Sequence, residues 1–145
     1  MGCVFCSIVG GEISAHVVAE TEHTLAFLDV KPLFVGHVLV VPRAHVETLD
    51  LLPPERLQVT FAEVQRVMRA VRAATGAQGT FVAANNGVSQ SVPHLHVHVV
   101  PRTKGDGLRG FFWPRKKYTD DAHMAEVAQA IRSALGAAPD QNASK

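Results

Sequence analysis

The stretch Pro93-His94-Leu95-His96-Val97-His98-Val99-Val100 decides how the chain reads. It alternates with the two-residue period of a β-strand, in which successive side chains leave opposite faces of the sheet. His94, His96 and His98 therefore share one face, and Leu95, Val97 and Val99 the other. The apolar face belongs to the core, so the three imidazoles are expected to line a surface or a cleft.

Working outward, residues 80–84 form another β-branched and apolar run, joined to residues 93–100 through the turn-forming Asn85-Asn86-Gly87. The two runs are expected to pair as a hairpin. Residues 16–20, 24–29 and 36–41 are short, apolar and punctuated by Glu22-His23, Pro32 and Gly36, which predicts three strands in a meander. After Pro53-Pro54, residues Leu57, Phe61, Val64, Met68 and Val71 recur at helical steps before Gly76, predicting an amphipathic helix with a proline start and a glycine stop. Asp120-Asp121 caps a second helix, ending at Gly136, whose face carries Met124, Val127, Ala128, Ile131 and Leu135. Both apolar helix faces are expected in the core. Strands, helix, strands, helix in that order give the α+β class: an antiparallel sheet of about five strands with two main helices. A single domain is expected over residues 1–136, with a disordered tail over 137–145.

Composition supports that frame. A chain of 145 residues, 47% hydrophobic and 19% charged, is globular and long enough for one real core. Its net charge of +1 supplies no global field to recruit nucleic acid or an anionic membrane. The longest unbroken aliphatic run covers residues 38–41, far short of the roughly 20 residues of a membrane span. No basic-then-apolar leader opens the chain, and Cys6 stands where a myristoylation signal has Ser or Thr. A soluble, cytoplasmic protein is expected. Local charge is uneven: residues 102–117 carry six basic residues against one acid, Asp106, around Phe111-Phe112-Trp113-Pro114. Such a segment can stack on and neutralise a nucleoside, a nucleic acid end or an acyl-nucleotide partner, or dock its aromatics at a subunit contact.

The only cysteines, Cys3 and Cys6, are spaced Cys-x-x-Cys. A disulfide framework is excluded, which leaves a redox pair, half a metal site, or two buried thiols. No strand precedes the pair as in a thioredoxin-like motif, which favours metal. For the histidines two chemistries compete. Residues two apart on a strand lie about 6.5 Å from one another and can share a metal, but the outer two lie about 13 Å apart, which disfavours one ion held by all three. Alternatively, a neutral imidazole attacks phosphorus through one nitrogen while an acceptor fixes the hydrogen on the other. Crowded imidazoles resist joint protonation, which keeps the attacking ring neutral. The sequence holds no Gly-x-x-x-x-Gly-Lys loop and no acidic cluster suited to catalytic magnesium, so attack without a catalytic metal is expected.

In these residues the chain resembles the histidine-triad (HIT) nucleotide hydrolases and transferases. The resemblance rests on residues 90–102, Gln90-Ser91-Val92-Pro93 and the triad run through Pro101-Arg102. It extends to Cys3-Val4-Phe5-Cys6, Gly11-Glu12-Ile13, Leu25-Ala26-Phe27-Leu28-Asp29, residues 36–45 from Gly36-His37 to His45, and Asn85-Asn86-Gly87. It implies that His96 is a nucleophile toward the α-phosphorus of a nucleotide ester, anhydride or phosphoramidate, and that His98 positions the phosphate. A nucleotidyl-histidine would then be hydrolysed to a purine nucleoside monophosphate such as AMP. Asp29 would hold the ribose, Phe27 and Val30 the base, and Asn85, Gln90 and Ser91 the phosphate or leaving group. Relatives that begin with Cys-x-x-Cys hold a structural zinc, here implied at Cys3, Cys6, His45 and His94. The resemblance also implies a homodimer. One departure stands out: the loop through Gly87-Val88-Ser89 is about two residues shorter than the family form, and Ser89 replaces a glycine. A left-handed backbone there would be strained. The rival reading is a zinc-stabilised purine-nucleotide-binding module with little catalysis, acting through a partner protein. His16, His23, His37 and His123 fit no constellation and are expected to be structural or solvated.

Overall fold

The structure, a computed structural model, describes residues 2–109 and 115–137. The chain falls into two compact units, Met1–Gly107 and Leu108–Lys145. In the first, α1 (Val4–Val9), β1 (Val17–Glu20), β2 (Thr24–Leu28), β3 (Val38–Pro42), α2 (Pro54–Thr75), β4 (Gly79–Ala83) and β5 (Val97–Arg102) follow in chain order. The five strands form one antiparallel sheet in the order β1-β2-β3-β5-β4, as the α+β reading expects.

The β2–β3 pair runs without a slip from Thr24↔Pro42 to Leu28↔Val38. Strand β4 pairs with β5 from Gly79↔Arg102 to Ala83↔His98, but through a wide loop rather than a tight Asn-Gly turn. Here the sequence reading needs correction, because the last strand begins at Val97 and not at Pro93. Pro93 has no N–H to give to a ladder, and the Leu95 N–H goes instead to the Val46 carbonyl at 2.6 Å. His94 and His96 therefore sit on an irregular approach to β5, tied to the chain that leaves β3.

Helix α2 starts on Pro54, where a missing N–H costs nothing, and stops at Gly76, which takes the left-handed φ of 70° and donates to the Arg72 carbonyl. Its buried stripe is Thr60, Val64, Val67 and Val71, turned slightly from the expected one: Leu57 is exposed, and Phe61 and Met68 are half-buried. The stripe packs on Ala26, Val38, Val40, Val97 and Val99 from one face of the sheet. Burying each such valine contributes about 1.5–3 kcal/mol. On the opposite face Leu25, Phe27, Leu39 and Val41 meet Phe5 of α1, with Ile8, Val9 and Val92 around them. The six-residue α1 is too short for periodicity to reveal it in the sequence.

In the second unit, α3 (Asp121–Ala137) begins on Asp120, whose carboxylate accepts the His123 N–H at 2.8 Å, the expected cap. The helix runs past Gly136. Met124, Ile131 and Leu135 are exposed. Residues 138–145 of the expected tail and Phe111-Phe112-Trp113-Pro114 lie outside the described residues.

Candidate functional site

The cysteine and histidine candidates gather on the face of the sheet opposite α2. Cys3 stands at the N-terminus of α1 and Cys6 lies in its first turns; His45 follows the Pro42-Arg43-Ala44 exit of β3, and His94 precedes β5. Three segments distant in sequence thus bring four ligand atoms, one from each residue, within 4.8 Å of one another. Cys3 Sγ lies 3.5 Å and Cys6 Sγ 3.6 Å from His94 Nδ1, and Cys6 Sγ lies 3.3 Å from His45 Nδ1. A tetrahedral zinc with bonds of about 2.3 Å to sulfur and 2.0–2.1 Å to nitrogen has a sulfur–nitrogen edge of about 3.6 Å. The four residues therefore fit a closed Cys2His2 site. His94 Nε2–H donates to the Pro42 carbonyl at 2.8 Å, which leaves the Nδ1 lone pair facing the cysteines. Burial, first among the causes, holds the His94 imidazole below its ordinary range and so in the neutral, ligating form. Burial and the adjacent Cys3 push the Cys6 thiol up, so paired thiolates at this spot call for a cation.

His96 is ordered by its own backbone neighbourhood. Its Nδ1–H donates to the His94 carbonyl at 2.7 Å. No hydrogen-bond partner holds Nε2 among the described residues, and none of their buried side-chain nitrogens or oxygens is left unpaired, so Nε2 is the end that solvent reaches. Phe5 packs edge-on to this ring at 5.1 Å between centroids, and to His94 at 5.9 Å. The expected open face of three histidines is thus corrected: His94 and His96 are 0% and 3% exposed beneath α1, and only His98 is partly open.

The His98 ring lies 5.0 Å from that of His96, and its Nδ1 lies 3.0 Å from Nε2 of the buried His37. Asp29 Oδ2 is 3.7 Å from the same His37 nitrogen. Burial, then the neighbouring His96 and His37, lower the His98 imidazole to about 4, with Asp29 opposing them, so His98 is neutral at neutral pH. His37, read in the sequence as fitting no constellation, belongs to this group. Its signal was its period-two relation to Leu39 and Val41, but only the β3–β5 register, with Leu39 opposite His98, reveals its neighbour.

The remaining sequence candidates divide. Phe27 is buried with its ring 5.5 Å from Phe5, and Asp29 Oδ1 accepts the Lys31 N–H at 2.8 Å. Val30 projects into solvent, 87% exposed. Asn85 Nδ2 donates to the Ser89 carbonyl, and the Gln90 carboxamide accepts from Gly87 N–H and donates to the Glu47 carbonyl at 2.6 Å. Ser91 is exposed. The structure thus brings Phe27 to His96 through Phe5 and Asp29 to His98 through His37, whereas Asn85 spends its amide on its own loop and Gln90 ties that loop to the Glu47 carbonyl after β3. Ser89 takes φ of +58°, the left-handed backbone whose strain the sequence reading anticipates.

The HIT domain family matches residues 10–105. A HIT-like protein of Methanocaldococcus jannaschii is 43% identical over 127 residues, covering 86% of this chain and 98% of that protein. An adenosine 5'-monophosphoramidase of Schizosaccharomyces pombe is 36% identical, covering 79% of this chain and 84% of its own. Among solved structures, a zinc-bound histidine triad family protein from Mycobacterium smegmatis superposes with a TM-score of 0.71 at 38% identity, covering 92% of this chain and 98% of that one. With the sheet, the cysteine–histidine cluster and the ordered triad already in place, these likenesses make one statement plain: the chain belongs to the HIT family.

Proposed function

We propose that the protein is a nucleotide hydrolase or transferase acting at the α-phosphate of nucleoside phosphoramidates, dinucleoside polyphosphates or related nucleotides. The observation that carries this reading is the His96 Nδ1–H donated to the His94 carbonyl, which leaves a bare Nε2 lone pair at the solvent-reached end of the ring. Nε2 supplies its electron pair to the α-phosphorus. The bond from phosphorus to the leaving group breaks, and that group departs with the bonding pair and takes a proton from water. Water then attacks the nucleotidyl-His96, the phosphorus–nitrogen bond returns its pair to the ring, the water proton passes to solvent, and a nucleoside monophosphate such as AMP leaves. Two steps with a good nucleophile replace one with a poor one. His98, adjacent and neutral, donates to a phosphate oxygen and stabilises the charge that develops there.

Asp29 is assigned to the ribose, Phe27 and Val30 to a purine base, and Asn85, Gln90 and Ser91 to the phosphate side. Cys3, Cys6, His45 and His94 would hold zinc, which when bound cross-links α1 to the two loops flanking β3 and β5. No step of the reaction passes through it. Strand β4 ends the sheet, which supports a homodimer formed by edge-to-edge pairing. No described helix is long and apolar enough to cross a membrane.

The alternative, a zinc-stabilised nucleotide-binding module, draws on the loop whose Asn85 and Gln90 amides are already engaged. One experiment separates the two. The protein and a His96→Ala variant are incubated with adenosine phosphoramidate and with a dinucleoside polyphosphate. AMP release confined to the wild type, with an adenylylated wild-type chain seen by mass spectrometry after quenching, supports the enzyme. AMP binding by both proteins without turnover supports the module and overturns the enzyme.

A further inference from the structure

His37 lies outside the triad, yet its ring is held on both sides. It is 3% exposed and makes a contact at each nitrogen. On one side the Leu33 backbone N–H points at Nδ1 from 3.1 Å. A backbone amide can only donate, so Nδ1 must accept and carries no hydrogen. In the neutral ring the hydrogen is then on Nε2. The surroundings agree on this point: the Asp29 carboxylate faces that nitrogen at 3.7 Å, and burial keeps the ring neutral against the pull of Asp29. Nε2–H lies 3.0 Å from His98 Nδ1, which therefore accepts, so the one hydrogen of neutral His98 is on its Nε2. That nitrogen takes no partner among the described residues and is not buried.

We propose that His37 is a positioning residue: accepting from Leu33 and donating to His98, it holds His98 in the one tautomer and ring orientation that present an N–H to the phosphate attacked by His96. This rests on the reaction proposed above and adds to it the source of the donor's direction. The chain Leu33 N–H to His37 to His98 is a relay of orientation, and no proton moves along it. It also decides what the cluster of Asp29, His37 and His98 is. Their ligand atoms lie within 4.8 Å of one another, as a metal would require, but an ion needs a bare Nε2 on His37, which the Leu33 amide denies it.

With Nδ1 of His98 satisfied, its ring has no reason to turn. Without His37, His98 Nδ1 loses its partner, and the ring can rotate to seek another, carrying Nε2–H away from the phosphate. Glutamine at position 37 can place an Nε2–H donor in the same reach, whereas leucine fills the space without one.

The test has two arms on the full chain. In uniformly 15N-labelled wild type, an NMR experiment that detects coupling across N–H···N hydrogen bonds reads the direction at once. The expected result is a proton bonded to His37 Nε2 and coupled to His98 Nδ1. A proton bonded to His98 Nδ1, or no proton between the rings in the folded protein, overturns the proposal. In the second arm, AMP release from adenosine phosphoramidate is compared for His37→Leu and His37→Gln, with folding checked by the amide spectrum. A loss of about a hundredfold in kcat with little change in KM is expected for the leucine variant, the scale for removing one oriented donor, with most of it restored by glutamine. Equal kcat in the wild type and a folded leucine variant overturns the proposal, as does equal loss in two folded variants. A wild type with the proton in place but no turnover defeats the reaction proposed above while the orientation of His98 stands.

Discussion

His96 Nδ1–H donates to the carbonyl of His94 at 2.7 Å, while the ring of His94 turns its own Nδ1 to Cys3 and Cys6. One residue therefore serves the cysteine cluster with its side chain and the neighbouring imidazole with its backbone. A disturbance of the cluster reaches the ring of His96 through the His94 backbone and through Phe5, which stands between Cys3 and Cys6 and packs on that ring.

The first consequence concerns metal. The purified protein is expected to carry one zinc ion per chain by elemental analysis, and Cys6→Ser or His45→Ala to carry almost none. Metal removal lowers unfolding free energy by about 4 kcal/mol, the effect of losing a ligand held at a thousandfold its dissociation constant. Chelation that leaves the denaturation midpoint unmoved rules out this site.

The second concerns acid. His98 binds its proton near 4 in the folded chain and near 6.5 when unfolded. Above 6.5 neither state holds the proton and stability is complete. As pH falls from 6.5 toward 4 the unfolded state takes the proton first, and up to about 3 kcal/mol is lost from this ring. His37, also lowered by burial, adds to the loss in the same direction. Urea denaturation at pH 7.5, 5.5 and 4 should show wild type losing its advantage over His98→Asn across that window; parallel curves contradict it.

The third concerns the shortened loop. Ser89 sits at φ +58°, a region that costs a residue with a Cβ about 1–2 kcal/mol. Ser89→Gly relieves this strain but adds unfolded-state freedom worth about 0.5–1 kcal/mol, so a small net gain is expected. Ser89→Val is expected to lose more than about 1 kcal/mol, because β-branching crowds the left-handed region further. Chemical denaturation of the two variants against wild type reads the order.

The fourth lies beneath the sheet. Gly36 has φ +98°, and a Cβ added there would stand 2.6 Å from Thr75 Cγ2. Gly36→Ala is expected to cost about 2 kcal/mol or more through clash and backbone strain together. Thr75→Ser removes the clashing methyl and keeps the hydroxyl that bonds the Val71 carbonyl. The double variant should recover the steric part alone, so a thermodynamic cycle with no coupling between positions 36 and 75 refutes the contact.

Much of this protein is local chemistry and can be read from the chain. Period-two runs gave the strands, helical spacing between Pro54 and Gly76 gave α2, and the Asp120 carboxylate gave the start of α3. The resemblance supplied Cys3, Cys6, His45 and His94 as one set, and the structure gathers them. Helix α1 leaves no periodic signal because six residues make under two turns, and the α2 stripe is turned because the sheet, not apolarity alone, selects Thr60 and Val67 over Leu57.

By itself the sequence determined the residue types and their period: which side chains can share a face and which can ligate or attack. The tertiary structure alone decided which histidine hydrogen points where. That choice depends on backbone groups from other elements, the Pro42 carbonyl at His94 and the Leu33 amide at His37, and on the register that sets Leu39 opposite His98. Hydrogen-bond direction is fixed by partners across space, and a linear pattern does not encode which partners will meet.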